Sequence, residues 1–187
     1  IGAGCGKTVS LRFDKTEKQG GETYMKKLIV IIGANGVGKT TTAQVLLQKL
    51  SKCAYVDADW CRAMHPFAFT EATKTAATNN IYCLLKNYLL CQDIEYVIFP
   101  YGFHGERKEI FEKVMGRLKE EQIAFERCTV VLKCSREENI KRAVRDGRDP
   151  QRLKRGMENT FAFYDAYPCP IVDTTDLCPD QAAEKIM

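Results

Sequence analysis

Several things are missing from this chain of 187 residues, and each absence narrows what it can be. None of its nine cysteines forms a C-x-x-C pair, and the count is odd. A structural zinc site and a complete disulfide framework are both disfavoured on that basis, and a cytoplasmic, reducing setting is expected. No apolar run is long enough to span a bilayer, and no segment has the form of a signal peptide, so no membrane association is expected. Charge of one sign is also short: 28 Lys and Arg stand against 24 Asp and Glu, a net +4. Nucleic-acid binders usually concentrate a basic face, so a nucleic-acid partner is disfavoured without being ruled out, and small anionic substrates fit. What remains is 45% hydrophobic and 28% charged, the balance of a globular protein. The length suits one domain that buries a core unaided, as a monomer or a homodimer.

One stretch organises the rest. Gly33-Ala34-Asn35-Gly36-Val37-Gly38-Lys39-Thr40 fits the phosphate-loop pattern G-x-x-x-x-G-K-[ST] at every specified position. The apolar, β-branched run Leu28-Ile29-Val30-Ile31-Ile32 precedes it, as a strand buried on both faces would. After Thr41, the residues Val45, Leu46, Leu47 and Leu50 recur at helical spacing. Strand, glycine-rich loop and helix in that order let backbone N–H groups turn inward around phosphate oxygens, with the positive helix end behind them. Lys39 would reach the β- and γ-phosphates and the Thr40 hydroxyl would ligate Mg²⁺. The pattern points to a bound nucleoside triphosphate.

Residues 1–24 read differently. Gly4-Cys5-Gly6-Lys7-Thr8 imitates the end of a second phosphate loop, but no strand precedes it and position 1 is isoleucine. This segment is expected to be an extension or an artefact of the start, with the domain occupying 25–187. From Met25 strands and helices alternate. Strands are expected at 53–56, 96–99, 129–133 and 170–173. A long helix should run over 71–90, capped by Thr70, and another should follow the loop 100–106. Ser135-Arg136-Glu137-Glu138 reads as a capping box, and Pro179 as the first residue of a last helix. Such alternation implies an α/β fold, a parallel sheet covered on both faces, with ligands beyond the carboxyl ends of the strands.

From about residue 26 to 186 the chain resembles the P-loop small-molecule kinases of the shikimate-kinase and nucleoside-monophosphate-kinase type, among the AAA-type ATP-binding proteins. Four features carry the likeness: the phosphate loop, Asp57-x-Asp59, the series Arg142-x-x-Arg145-x-x-Arg148, and the ending Val172-Asp173-Thr174-Thr175 with the Pro179 helix. The resemblance implies a three-layer αβα sandwich, a five-stranded sheet in the order 2-3-1-4-5 and a helical lid over about 142–156. It also implies ATP and Mg²⁺ as cofactors and transfer of the γ-phosphate to a small-molecule acceptor. Within it, Gly33 to Thr41 and Arg142 would bind ATP, with Arg142 packing on the adenine. Asp59-x-x-Arg62 also resembles the D-x-x-R of polynucleotide-kinase-like enzymes, so a 5′-hydroxyl nucleic-acid kinase is a second reading. A non-catalytic ATP-binding regulatory module is a third.

Phosphoryl transfer needs positioning, charge stabilisation and a carboxylate to accept the acceptor's proton. Asp59 is the candidate base, and Asp57 the candidate for a Mg²⁺-bound water or for the substrate; either could instead cap the turn after its strand. Arg62 could hold an anionic group or simply form a surface ion pair. Lys39, Arg145 and Arg148 would carry the charge developing at the phosphoryl group, with Arg152 and Arg155 in reserve; the plain reading of that run is a solvated basic face. After the third strand stands Tyr101-Gly102-Phe103-His104-Gly105, where nucleoside monophosphate kinases carry Asp-Gly-Phe-Pro-Arg. That departure counts against a nucleotide acceptor and puts Mg²⁺ binding there in question. Gly102, His104 and Arg107 remain candidates to face the acceptor. Trp60, Met64, Phe67 and Phe69 could wall its pocket, but core packing is the favoured reading for them.

Overall fold

A computed structural model describes residues 25–66, 68–147 and 160–187. The expected extension, Phe67, and Arg148, Arg152 and Arg155 of the expected lid lie outside the described residues. Five strands form one all-parallel sheet in the order β2-β3-β1-β4-β5, with β1 Lys27–Ile32, β2 Cys53–Tyr55, β3 Tyr96–Tyr101, β4 Glu126–Lys133 and β5 Ile171–Asp173. The expected strand order is the observed one. β1 is central because both of its faces are apolar: Leu28 through Ile32 are wholly buried. β3 runs through Pro100 to Tyr101, two residues beyond the apolar run read from the sequence. Pairing with β1 continues to the end, opposite Ile31 and Ile32.

The helices follow from local signals. α1 (Lys39–Lys49) starts on Gly38 and packs against the C-terminal helix α5 (Pro179–Ile186), which has its proline in the first turn. α2 (Glu71–Leu90) is opened by Thr70, whose side chain accepts from Thr73 N while Thr73 Oγ1 accepts from Thr70 N. It packs on α3 (Glu106–Glu120). α4 (Arg136–Arg145) begins with half of the expected capping box. Ser135 Oγ accepts from Glu138 N at 3.1 Å, but the Glu138 carboxylate turns away to accept from Arg142 Nε at 2.8 Å. Ser135 N instead donates to Thr175 Oγ1 at 2.9 Å, so the start of α4 is fastened to the loop after β5. A further helical segment covers 160–165.

Among the described residues no helix is long and apolar enough to cross a membrane. Core packing of the aromatics near the second strand is corrected for two of them. Trp60 is 80% exposed and Phe69 is 41% exposed. The 3₁₀ turn Trp60–Arg62 turns Cys61 to the core, which leaves Trp60 on the outer side.

Candidate active site

The carboxyl ends of β1, β2 and β3 and the last turn of α4 surround a cleft of about 410 Å³. Its floor is the phosphate loop. Gly36 and Gly38 adopt φ of 87° and 97°, conformations that favour glycine, and Gly38 opens α1 without any side-chain cap. No acidic residue occupies the first turn of α1, so its N–H groups and positive end meet the cleft unopposed. Gly33 is required for another reason: a Cβ there would stand 2.2 Å from Leu132 O of β4. Lys39 Nζ folds back over the loop and donates to Gly33 O and Ala34 O, each at 2.8 Å. Thr40 and Thr41 line the cleft beside it.

The wall from β2 carries both acidic candidates. Asp57 Oδ2 accepts from the Tyr55 hydroxyl at 3.1 Å, and Oδ1 accepts from Asp59 N at 2.7 Å. The second bond is the turn-capping role, so Asp57 caps the turn and lines the cleft at once. Burial, followed by the charge of Asp57, pushes the Tyr55 phenol up, so Tyr55 remains a donor. The Asp59 side chain is 81% exposed and pairs with Arg62, whose own side chain is only 11% exposed. Arg62 is thus a largely buried cation reaching into the cleft, more than a surface ion pair would be.

The third wall follows β3. Tyr101, Gly102 and Arg107 line it, and the Arg107 guanidinium sits within 3.0 Å of where a Gly102 Cβ would be. Glycine at 102 makes room for that guanidinium. Burial first, and then repulsion by Arg62, lowers the pKa of Arg107. His104 lies over the same glycine, not along the cleft, and its Nδ1 stands 3.4 Å from the Tyr164 hydroxyl. Its pKa is pushed down to about 4, first by burial and then by Arg107, Lys39 and Arg62, so it is neutral at physiological pH.

Two features of this site escape sequence reading. The Tyr164 hydroxyl accepts from Phe103 N at 2.6 Å and stands 3.4 Å from His104 Nδ1. It therefore ties the helical segment 160–165 to the loop after β3. Asn139 of α4 is wholly buried and donates from Nδ2 to Asn35 O at 2.9 Å. Neither residue belongs to a short motif, so only the tertiary structure reveals them.

Arg142 and Arg145 close the remaining side with Asp146. Arg142 is tied down: besides Glu138 it donates to Thr174 Oγ1 at 3.1 Å, Thr174 O at 2.6 Å and Val37 O at 3.3 Å. Arg145, by contrast, is 79% exposed. The cleft thus gathers Gly36, Gly38, Lys39, Thr40, Thr41, Asp57, Asp59, Arg62, Gly102, Arg142 and Arg145, while Gly33, Ala34 and Val37 shape the loop from behind.

Solved structures with this architecture include the APS kinase CysC of Mycobacterium tuberculosis, in complex with AMPPNP and APS. It has a TM-score of 0.56 and 14% identity, covering 88% of this chain and 96% of that one. A gluconokinase of Sinorhizobium meliloti gives 0.57 and 14%, with 88% and 91% covered. The shikimate kinase of Acinetobacter baumannii, in complex with shikimate, gives 0.53 and 18%, with 87% and 92% covered. The fold is therefore that of the P-loop small-molecule kinases. No curated protein matches. The AAA domain family AAA_18 matches residues 29–161, most of the described core and all of the cleft's walls up to α4, and the chain belongs to that family.

Proposed function

We propose that the chain is an ATP- and Mg²⁺-dependent phosphotransferase acting on a hydroxyl of a small molecule that carries an anionic group. The observation behind this reading is the arrangement of one cleft. The phosphate loop and Lys39 stand at one end, Asp57 and Asp59 beside them, and the guanidinium groups of Arg62 and Arg107 line the acceptor side.

The residues fit Mg²⁺. Thr40 and Asp57 share the cleft, and among the described residues no cluster of three metal-ligating side chains exists. Magnesium commonly takes one or two carboxylates and completes its shell with water and phosphate oxygens. Held by Thr40 and Asp57, it would neutralise the negative charge that develops on the phosphate oxygens during transfer.

The chain's own residues supply the rest. Lys39 leaves the carbonyls of Gly33 and Ala34 for the γ-phosphate oxygens. Arg62 and Arg107 hold the acceptor's anion and so aim its hydroxyl at the phosphorus. As that hydroxyl oxygen bonds to the γ-phosphorus, the bond from phosphorus to the β,γ-bridging oxygen breaks and ADP leaves. The hydroxyl proton passes to the Asp59 carboxylate. Arg145 supplies an exposed cation at the cleft mouth, a role that Arg148 would share.

Replacing Asp59 with asparagine tests the assignment. Asp59→Asn should keep ATP binding while acceptor phosphorylation falls by about 10²–10⁴-fold, the usual contribution of a general base. Asp57→Asn should be partly restored by added Mg²⁺. Full activity in Asp59→Asn would remove it as the base. ATP binding without turnover on any acceptor would favour a regulatory module. The exposed Trp60 beside Asp59 supports one rival, a 5′-hydroxyl nucleic-acid kinase, whose substrate binding would weaken steeply with salt.

A further inference from the structure

The back of the phosphate loop is held as deliberately as its front is left open. In a trans peptide unit the carbonyl of one residue and the N–H of the next point in opposite directions. The side on which a carbonyl is captured therefore fixes where the following N–H is aimed. Asn35 O is captured by Asn139 Nδ2 at 2.9 Å. Val37 O accepts from Arg142 Nη1 at 3.3 Å and lies 3.1 Å from Thr174 Oγ1, whose single proton it shares with Lys133 O at 3.0 Å. Asn139 and Thr174 are buried outside the cleft lining, on α4 and just after β5, while Arg142 of α4 also lines the cleft. The N–H groups of the same peptide units belong to Gly36 and Gly38, both of which line the cleft.

Asn139 shows that this arrangement is maintained at a cost. The side chain is wholly buried, and its Oδ1 is the buried side-chain atom without a hydrogen-bond partner among the described residues. The amide also lies against Gly36, with Nδ2 only 2.9 Å from where a Cβ would be. An apolar residue would fill this site without leaving an acceptor unpaired, so the gain from asparagine must lie in the donor it presents to Asn35 O.

We infer that Asn139, assisted by Thr174, is a positioning residue that presets the phosphate loop, turning the Gly36 and Gly38 N–H groups into the cleft before any anion arrives. The inference rests on the phosphotransferase reading of this cleft. It gives α4 a second role, since the helix that carries Arg145 at its mouth end also fixes the dipoles of the cradle.

The test is calorimetric titration of the full-length protein with ADP plus Mg²⁺ and, separately, with inorganic tripolyphosphate. Asn139→Leu removes the donor and the unpartnered oxygen together at similar volume. It should weaken both probes by about tenfold while thermal unfolding stays cooperative, because the defect lies in the phosphate cradle. Thr174→Val should weaken both in the same direction by a smaller factor, and it decides the matter should Asn139→Leu fail to fold. Folded variants that bind both probes within twofold of wild type would overturn the inference. So would a loss confined to ADP, which would place the defect at the adenine. Wild-type protein that binds neither probe would overturn the phosphotransferase reading itself, and the inference with it.

Discussion

Arg107 is the residue at which stability and function should pull apart most clearly. Its guanidinium is half-buried and bears on the same space as Arg62, which lowers its pKa. The carboxylate that attracts it, Asp59, is already paired with Arg62. Among the described residues no carboxylate forms an ion pair with Arg107. A cation kept partly desolvated beside another cation costs stability, and a bound anion would offset that cost. Arg107→Met keeps most of the side-chain stem while removing the charge. The gain in stability should be about 1 kcal/mol, typical of relieving one such functional strain. In a chain of this size that is a rise in Tm of roughly 2–4 °C. On the acceptor side, a hydrogen bond to a charged group is worth about 1.5–3 kcal/mol, so the acceptor KM should rise about 10- to 150-fold. The assays are thermal unfolding without ligands, and ADP release against acceptor concentration at saturating ATP. A lowered Tm together with an unchanged KM would refute the reasoning, because Arg107 would then be a structural cation.

Two further outcomes follow from the geometry. Gly33→Ala should cost more than about 3 kcal/mol or prevent folding, a loss read by chemical denaturation, since its Cβ would stand 2.2 Å from a main-chain oxygen of β4. His104, held down at about 4 against an ordinary 6.5, is neutral in the fold while the unfolded chain takes up a proton below 6.5. The stability it contributes at neutral pH should therefore be lost as pH falls from about 6.5 toward 4, and His104→Gln should flatten that part of the stability profile.

Much of this protein is legible in its sequence because its strongest signals are local. The apolar run 28–32, the phosphate loop and the Thr70 cap each lie within a few residues, and each forms the element it predicts. The Pro179 start of the last helix does likewise. Long-range hydrogen bonds are what the sequence hides. Tyr164 reaches Phe103 across 61 positions, and Asn139 reaches Asn35 across 104, with no spacing rule to announce either. The fate of Glu138 is hidden in the same way: a capping box is a sound local expectation, but Arg142 competes for the carboxylate and the Thr175 hydroxyl takes over the Ser135 amide. Trp60 illustrates a third limit, since hydrophobicity predicts burial only when the turn faces the core, and here Cys61 takes that side.

The central claim is that this cleft transfers phosphate from ATP to an anionic hydroxyl compound. It is tested most directly by acceptor-dependent ADP release across matched pairs of small hydroxylated compounds, with and without a carboxylate or phosphate, using Lys39→Ala as the control. The account predicts stimulation by at least one charged member, little by its uncharged twin, and none in Lys39→Ala, which lacks the cation on the transferring group. Stimulation by uncharged members alone, or equal rates in wild type and Lys39→Ala, would contradict it.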